Sequence, residues 1–111
     1  MKTFLIGPVR GMPQGFLKEH VERLEGDGYE VHWPERDTNQ VAASLEICNQ
    51  NHEAIKAADV VHVIWDGKSQ GCLFDIGVAF ALGKKAIPIT MPEASPGKSF
   101  QNMVREWASC V

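Results

Sequence analysis

The stretch D-V-V-H-V-I-W occupies residues 59–65 and is apolar almost throughout. A strand covered on both faces has this composition, because neither of its faces meets water. Such strands lie at the centre of parallel sheets, with helices packed above and below. The stretch therefore predicts the central strand of an α/β domain.

On either side of this stretch, short apolar runs alternate with helical patterns. The other predicted strands cover residues 2–6, 29–33 and 86–90. Apolar residues at helical spacing predict helices over residues 16–24, 41–55, 72–82 and 100–107. Residues 35–40 are polar and are expected to form a loop. The order β-α-β-α-β-α-β-α predicts a single domain over residues 1–111, with parallel strands and right-handed crossovers.

Two of these helices carry specific expectations about burial. The second predicted helix has Val41, Leu45, Cys48, His52 and Ile55 at spacings of 4, 3, 4 and 3, which predicts one buried stripe. The third, over residues 72–82, is apolar nearly all round and is expected to be buried on every side.

Composition excludes several classes of protein. The chain has 111 residues, of which 44% are hydrophobic and 23% charged, with a net charge of −3. No apolar run approaches the roughly 18 residues that cross a membrane, and the first residues do not resemble a secretory leader. With 11 basic and 14 acidic residues, no basic face for nucleic acid is expected. The cysteines, Cys48, Cys72 and Cys110, fit neither a disulfide framework nor a zinc site, which favours the cytoplasm.

Ligands of open parallel sheets bind outside the carboxyl ends of the strands. Residues 66–77, D-G-K-S-Q-G-C-L-F-D-I-G, run from that edge into the third helix. Ser69, Gly71 and nearby N–H groups lie where a helix start attracts anions. Asp75 lies between Phe74 and Ile76, either as a reactive carboxylate that the helix start keeps ionised or as a group that stabilises the helix and a loop.

The loop after the first strand is the second candidate. It reads Gly7-Pro8-Val9-Arg10-Gly11. Its glycines allow a ligand to approach the backbone closely, and the guanidinium of Arg10 has the geometry that binds a phosphate or a carboxylate. A turn with a solvated arginine is the alternative. The four histidines have no spacing typical of metal ligands, so neither a metal nor another cofactor is expected.

Four motifs together resemble the nucleoside 2-deoxyribosyltransferase superfamily, nearest its 2'-deoxynucleoside 5'-phosphate N-hydrolases. They are G-P-x-R-G after the first strand, A-A-D-V-V at 57–61, S-x-G-x-x-x-D-I-G-x-A at 69–79 and A-L-G-K-K-A-I at 81–87. The resemblance covers about residues 3–90. It implies a flavodoxin-like three-layer sandwich with a parallel sheet of four to five strands.

The resemblance also assigns roles. Asp75 stands at the position of the family's glutamate nucleophile, and Ser69 at a position where monophosphate hydrolases have serine. Arg10 and the loop around it match a phosphate-contacting loop. Asn51 stands where the family has a second carboxylate, and Asp66 is a possible substitute for it. In the family, a polar residue just before a methionine is supplied to the site by the neighbouring subunit. Asn102, which precedes Met103, stands at that position.

The expected function is hydrolysis of the base–sugar bond of a (deoxy)nucleoside 5'-monophosphate, with Asp75 as the nucleophile. One alternative is a nucleotide-binding module without catalytic activity, because Asp75 and Asn51 differ from the residues that the family has at these positions. The other alternative is a nucleoside 2-deoxyribosyltransferase. The expected partners are a small nucleotide or nucleoside and a second copy of the chain. Neither nucleic acid nor a membrane is expected as a partner.

Overall fold

The computed structural model describes residues 1–110, in which four parallel strands form one sheet. The strands are β1 (Lys2–Ile6), β2 (Glu30–His32), β3 (Val60–Ile64) and β4 (Lys85–Thr90). The helices are α1 (Phe16–Gly26), α2 (Pro34–Asp37), α3 (Ser44–Ala57), α4 (Gln70–Ala81) and α5 (Phe100–Ser109). The strand order is β2-β1-β3-β4, which confirms the predicted parallel α/β sandwich.

The central strand is β3, as predicted. It pairs with β1 on one side and β4 on the other, and all five of its residues are buried. Successive side chains of a strand point to opposite faces, so β1 and β3 supply both cores. Phe4 and Ile6 pack with α3, α4 and α5 on one face. Leu5 packs with α1 on the other face.

The helix expected over residues 41–55 begins later, at Ser44. Its predicted stripe is wrong, since Val41 is 93% and Leu45 72% exposed and His52 is exposed as well. Ala43 has extended backbone (φ −62°, ψ 152°), so Val41 lies before the helix and outside its periodicity. The buried side chains of α3 are instead Asn51 and Ile55.

The expected loop at residues 35–40 contains the short helix α2. Pro34 occupies one of the first helical positions, where its missing N–H and fixed φ are no cost. Asp37 also stabilises this turn, because its Oδ2 accepts the N–H of Trp33 at 2.9 Å. Thr38 is the residue that follows this turn, and its side chain is buried at the edge of the sheet.

The expectation that α4 is buried all round is wrong. Cys72, Ile76 and Ala79 are its buried side chains, whereas Phe74 is 56% and Phe80 64% exposed. The helix connects β3 to the edge strand β4, and of its exposed aromatic residues Phe80 packs edge-on against Trp107 of α5.

Among residues 1–110, no helix has both the length and the apolar character needed to cross a membrane.

Candidate active site

Six of the predicted site residues meet around one cavity at the carboxyl ends of β1 and β3. The cavity has a volume of about 150 Å³, and its walls include Gly7, Val9, Asn51, Ser69, Gly71 and Asp75. They come from the loop after β1, from the loop after β3 with the start of α4, and from α3. Loops that follow parallel strands share one edge of the sheet, which explains why distant segments converge here.

A second cavity, of about 280 Å³, adjoins the first. Val9 and Ser69 line both cavities, and Arg10, Asp66 and Lys68 complete the walls of the second. This neighbouring space therefore has two cationic side chains and one carboxylate around it. Its composition differs from that of the first cavity, where Asp75 is the ionisable acid.

Asp75 is the sixth residue of α4 and its side chain is mostly buried. Burial raises the pKa of Asp75 to about 6, and a hydrogen bond from the side chain of Asn51 opposes this rise. The expectation that the helix start keeps Asp75 ionised gives the wrong reason. The helix dipole acts within the first turn, and Asp75 lies beyond that turn. At pH 7 roughly nine-tenths of the molecules still carry the ionised carboxylate.

Asn51 is held in place by a chain of hydrogen bonds to Thr38 and His32. The Thr38 hydroxyl donates to Asn51 Oδ1 at 2.7 Å, and the same hydroxyl lies 2.9 Å from His32 Nε2. Thr38 and Asn51 are 5% and 7% exposed, so both are buried polar residues with satisfied partners. Sequence analysis missed Thr38 and His32, since no spacing in the chain links them to Asn51.

Ser69 lies at the junction of the two cavities and is the N-cap of α4. Its Oγ accepts the backbone N–H of Cys72 at 3.4 Å, and its carbonyl accepts the indole N–H of Trp65 at 3.2 Å. The first N–H groups of any helix have no partner within the helix. Because Gly71 is exposed and has no side chain, the start of α4 is open to a ligand on this side.

Asp66 shapes the loop between β3 and α4. Its Oδ1 accepts the N–H groups of Lys68 at 2.9 Å and Ser69 at 2.8 Å. Burial alone would raise the pKa of Asp66, but the hydrogen bonds from Ser69 and Lys68 outweigh it and the pKa lies below its ordinary value. A carboxylate stabilised in its ionised form is a poor proton donor near neutral pH. Its geometry fits a loop-stabilising role.

The loop after β1 is tightly packed at its first position. A Cβ on Gly7 would lie 3.1 Å from Leu17 Cδ2, so the loop packs closely on α1. Pro8 is fully buried next to it, whereas Val9 is 53% exposed at the cavities. Gly11, with φ 86°, lies outside both cavities and has the left-handed backbone that favours glycine.

Asn102 also lies outside the two cavities. Its amide N–H group donates to the carbonyls of Ser95 at 2.6 Å and Gly97 at 2.7 Å, and its Oδ1 accepts the N–H of Ser95 at 3.0 Å. Within one copy of the chain, this side chain holds the loop between β4 and α5. A role in a neighbouring copy's site stays a prediction.

Two further reactive groups, on His62 and Cys72, belong to the core. His62 Nδ1 lies 2.6 Å from Thr3 Oγ1 inside the sheet, so His62 is a hydrogen-bonded core residue. Burial raises the pKa of the Cys72 thiol to about 11, so this thiol is unreactive near neutral pH. Within residues 1–110, no group of three or more His, Cys, Asp or Glu side chains could hold a metal ion.

The chain also matches a known family. The model of the family described as nucleoside 2-deoxyribosyltransferase matches residues 4–103, which is most of the chain. The chain belongs to the nucleoside 2-deoxyribosyltransferase family. The search of curated proteins gave no match.

Solved structures of similar fold include enzymes from three organisms. A 2-deoxyribosyltransferase from Bacillus psychrosaccharolyticus is 20% identical, with a TM-score of 0.68 over 96% of this chain and 81% of that one. A 2-desoxiribosyltransferase from Leishmania mexicana is 21% identical, with a TM-score of 0.62 over 78% and 62%. A CMP N-glycosidase from Clostridium botulinum is 26% identical, with a TM-score of 0.56 over 79% and 67%.

These neighbours show that the chain has the flavodoxin-like fold of a deoxyribosyltransferase-family enzyme. The chain spans only 62% of the length of the Leishmania enzyme. The deoxyribosyltransferase family thus accounts for the parallel sheet and the helices that cover it.

Proposed function

We propose that this chain hydrolyses the N-glycosidic bond of a (deoxy)nucleoside 5'-monophosphate, with Asp75 as the nucleophile. One observation carries the proposal: Asp75, Asn51 and the start of α4 line the same small cavity. A carboxylate, an orienting amide and an anion-binding helix start are the groups that cleavage of a phosphorylated sugar requires. The CMP N-glycosidase among the structural neighbours acts on a substrate of this class.

The two adjoining cavities bind different parts of the substrate. The second cavity, with Arg10 and Lys68 on its wall, is where the 5'-phosphate binds. Ser69 and the first N–H groups of α4 contact the same phosphate from the shared wall. The sugar then lies in the first cavity, with its anomeric carbon C1' toward Asp75.

The reaction proceeds in two displacements. The Asp75 carboxylate forms a bond to C1' while the C1'–N bond breaks, and the base leaves with the bonding electron pair and takes a proton from water. The product is an ester between the sugar phosphate and Asp75. A water molecule then attacks C1', the ester bond breaks, and the carboxylate is regenerated as one proton passes to solvent.

Two other functions have specific support. The Bacillus and Leishmania neighbours are named transferases, and a transferase differs only in using a second base, rather than water, to resolve the ester. A binding module without chemistry is supported by Asn51, because an amide cannot donate a proton as a carboxylic acid can.

A second copy of the chain is also part of the proposal. The outer face of α4 consists of Phe74, Gly77, Phe80 and Ala81, all exposed and none charged. Phe74 is also on the wall of the first cavity, so a partner that covers this face would close the site from solvent. Homodimerisation through α4 therefore serves both burial of apolar surface and catalysis.

The test is incubation of the protein with deoxynucleoside and ribonucleoside 5'-monophosphates, and separately with a deoxynucleoside plus a second base. Chromatography detects free base, exchanged nucleoside or neither. Free base from a monophosphate, lost in Asp75→Asn and kept in Asp27→Asn at the opposite edge of the sheet, supports the hydrolase. Base exchange on free nucleosides supports the transferase, and nucleotide binding without turnover supports the binding module.

A further inference from the structure

The side chains of His32, Thr38 and Asn51 form a hydrogen-bonded chain that ends at the cavity lined by Asn51 and Asp75. Each comes from a different element: the end of β2, the residue after α2, and the middle of α3. His32 Nε2 lies 2.9 Å from Thr38 Oγ1, and Thr38 Oγ1 lies 2.7 Å from Asn51 Oδ1. Asn51 and Asp75 line the same cavity, and the Asn51 side chain lowers the pKa of Asp75.

The direction of this chain follows from counting protons. A hydroxyl group has a single hydrogen, so if Thr38 donates to Asn51 it must accept from His32. His32 is then the tautomer that carries its proton on Nε2. Asn51 uses its carbonyl oxygen toward Thr38 and therefore presents its NH₂ group to Asp75.

The opposite direction conflicts with an ionised Asp75. If Asn51 donated to Thr38, its carbonyl oxygen would face a carboxylate, and two acceptors without a proton between them repel each other. An ionised Asp75 thus selects the arrangement in which His32 is the first donor. The imidazole is neutral in this arrangement, because burial lowers the pKa of His32 even though Asp37 opposes the effect.

The surroundings of His32 keep its ring in place for this task. The ring stacks on Phe4 with centroids 5.2 Å apart and planes 9° from parallel. The charged groups that act on it are Asp37 and Arg36 of α2. Thr38 is buried at 5% exposure, so water does not compete for its hydroxyl.

We propose that His32 and Thr38 are positioning residues, which hold the Asn51 amide with its NH₂ group toward Asp75 and thereby favour the ionised nucleophile. The proposal rests on the proposed function, since that function makes Asp75 the nucleophile. Neither residue touches the substrate, and both act through Asn51.

The first test uses the unaltered protein and no substrate. Nitrogen-15 NMR at pH 8, where Asp75 is ionised, distinguishes the two tautomers of a neutral histidine ring. We expect His32 to carry its proton on Nε2. A proton on Nδ1 would contradict the proposal, whatever the protein's activity.

The second test uses matched variants and the carboxyl carbon signal of Asp75. Thr38→Val keeps the shape and removes the hydroxyl, whereas Thr38→Ser keeps the hydroxyl. We expect the pKa of Asp75 to rise by about half a unit or more in Thr38→Val, because Asn51 is released, and to stay near the wild-type value in Thr38→Ser. Equal pKa values in Thr38→Val and wild type would overturn the proposal.

A third test separates positioning from folding in the reaction itself. In His32→Phe, which keeps a ring on Phe4 but has no donor, we expect kcat to fall about tenfold with KM within roughly threefold. His32→Gln supplies an N–H at a similar position and should recover most of kcat. An unchanged kcat in His32→Phe contradicts the proposal. If wild type releases no base, the proposed function fails, while the two NMR tests still decide the roles of His32 and Thr38.

Discussion

The carboxylate of Asp75 on α4 faces the amide of Asn51 on α3, at the carboxyl edge of a parallel sheet. Burial raises the pKa of Asp75 to about 6, and the amide opposes that rise. Burial and the Asn51 amide therefore have opposite effects on the pKa of Asp75. Such a balance suits a nucleophile that must be shielded from water and still be ionised.

The pH dependence of activity follows from this pKa. Below about pH 6 the carboxyl of Asp75 is protonated and cannot attack C1', so we expect kcat/KM to fall tenfold for each pH unit below that value. The measurement is base release from a monophosphate between pH 4.5 and 8. A profile that stays flat down to pH 4.5 would show that no buried carboxylate limits the reaction.

The stability of the fold should change in the opposite sense to activity. Asp75 has a pKa raised from 3.8 to about 6, so the folded protein binds its proton more tightly than the unfolded chain does. The free energy of unfolding then falls as pH rises from about 4 to 6, and the ionised group is destabilising at pH 7. We expect Asp75→Asn to raise the free energy of unfolding at pH 7 by about 1–2 kcal/mol and to abolish activity.

Urea denaturation at pH 7 and pH 4.5 measures this effect, and the gain should shrink at the lower pH. Asp66→Asn is the matched control, because the pKa of Asp66 is lowered by its backbone hydrogen bonds and its ionised form stabilises the loop. We expect that variant to lose stability at pH 7. A destabilised Asp75→Asn would mean that the carboxylate has a structural role.

Ser69 offers a test of phosphate recognition that leaves the helix cap intact. Aspartate is as good an N-cap as serine, so Ser69→Asp should fold with unchanged stability. The added negative charge repels a phosphate, and we expect KM for a monophosphate to rise tenfold or more. Steady-state kinetics with Ser69→Thr as the control measure it. An unchanged KM in Ser69→Asp would place the phosphate elsewhere.

Arg10 should contribute to binding of the same phosphate. Replacing it by glutamine removes a charge-assisted hydrogen bond, for which we expect KM to rise about 10- to 100-fold with little change in kcat. Arg10→Lys keeps the charge but lacks the paired donors, so it should fall between the two. Arg23→Gln, at the end of α1, is the control for a general change in net charge.

The apolar outer face of α4 provides a test of dimerisation at Gly77. A Cβ at Gly77 would meet no heavy atom of residues 1–110 within 4 Å beyond the helix's own backbone. We therefore expect Gly77→Glu to leave the fold intact but to convert a dimer to a monomer, and Gly77→Ala to remain dimeric. Light scattering coupled to gel filtration measures both. A wild-type protein that is monomeric at high concentration would contradict the proposed dimer.

The sheet could be predicted because its signal is local. Each strand is a short run of apolar residues, and β3 is buried at every position as its composition indicates. Val41 and Leu45 match a helical period, yet they lie before or in the first turn of α3, where both side chains are exposed. The short helix α2 did have a local signal, since Pro34 followed by acidic residues is typical of a helix start.

Part of the candidate site was predicted from residues close together in the chain, and Asn51 was predicted from the family resemblance. Ser69, Gly71 and Asp75 lie within one loop and helix start, so spacing was sufficient. Thr38 and His32 meet Asn51 only through the tertiary fold, and no pattern in the sequence connects them. The pKa of Asp75 was missed for the same reason, because its burial depends on what packs against α4.

The most direct test of the central claim is a search for the covalent intermediate on Asp75. The protein is mixed with a monophosphate whose sugar carries fluorine at C2', which slows hydrolysis of the ester, and is then examined by mass spectrometry. We predict a mass increase equal to one sugar phosphate, located on the peptide that contains Asp75 and absent in Asp75→Asn. Base release without this adduct, or an adduct on another residue, would contradict the account.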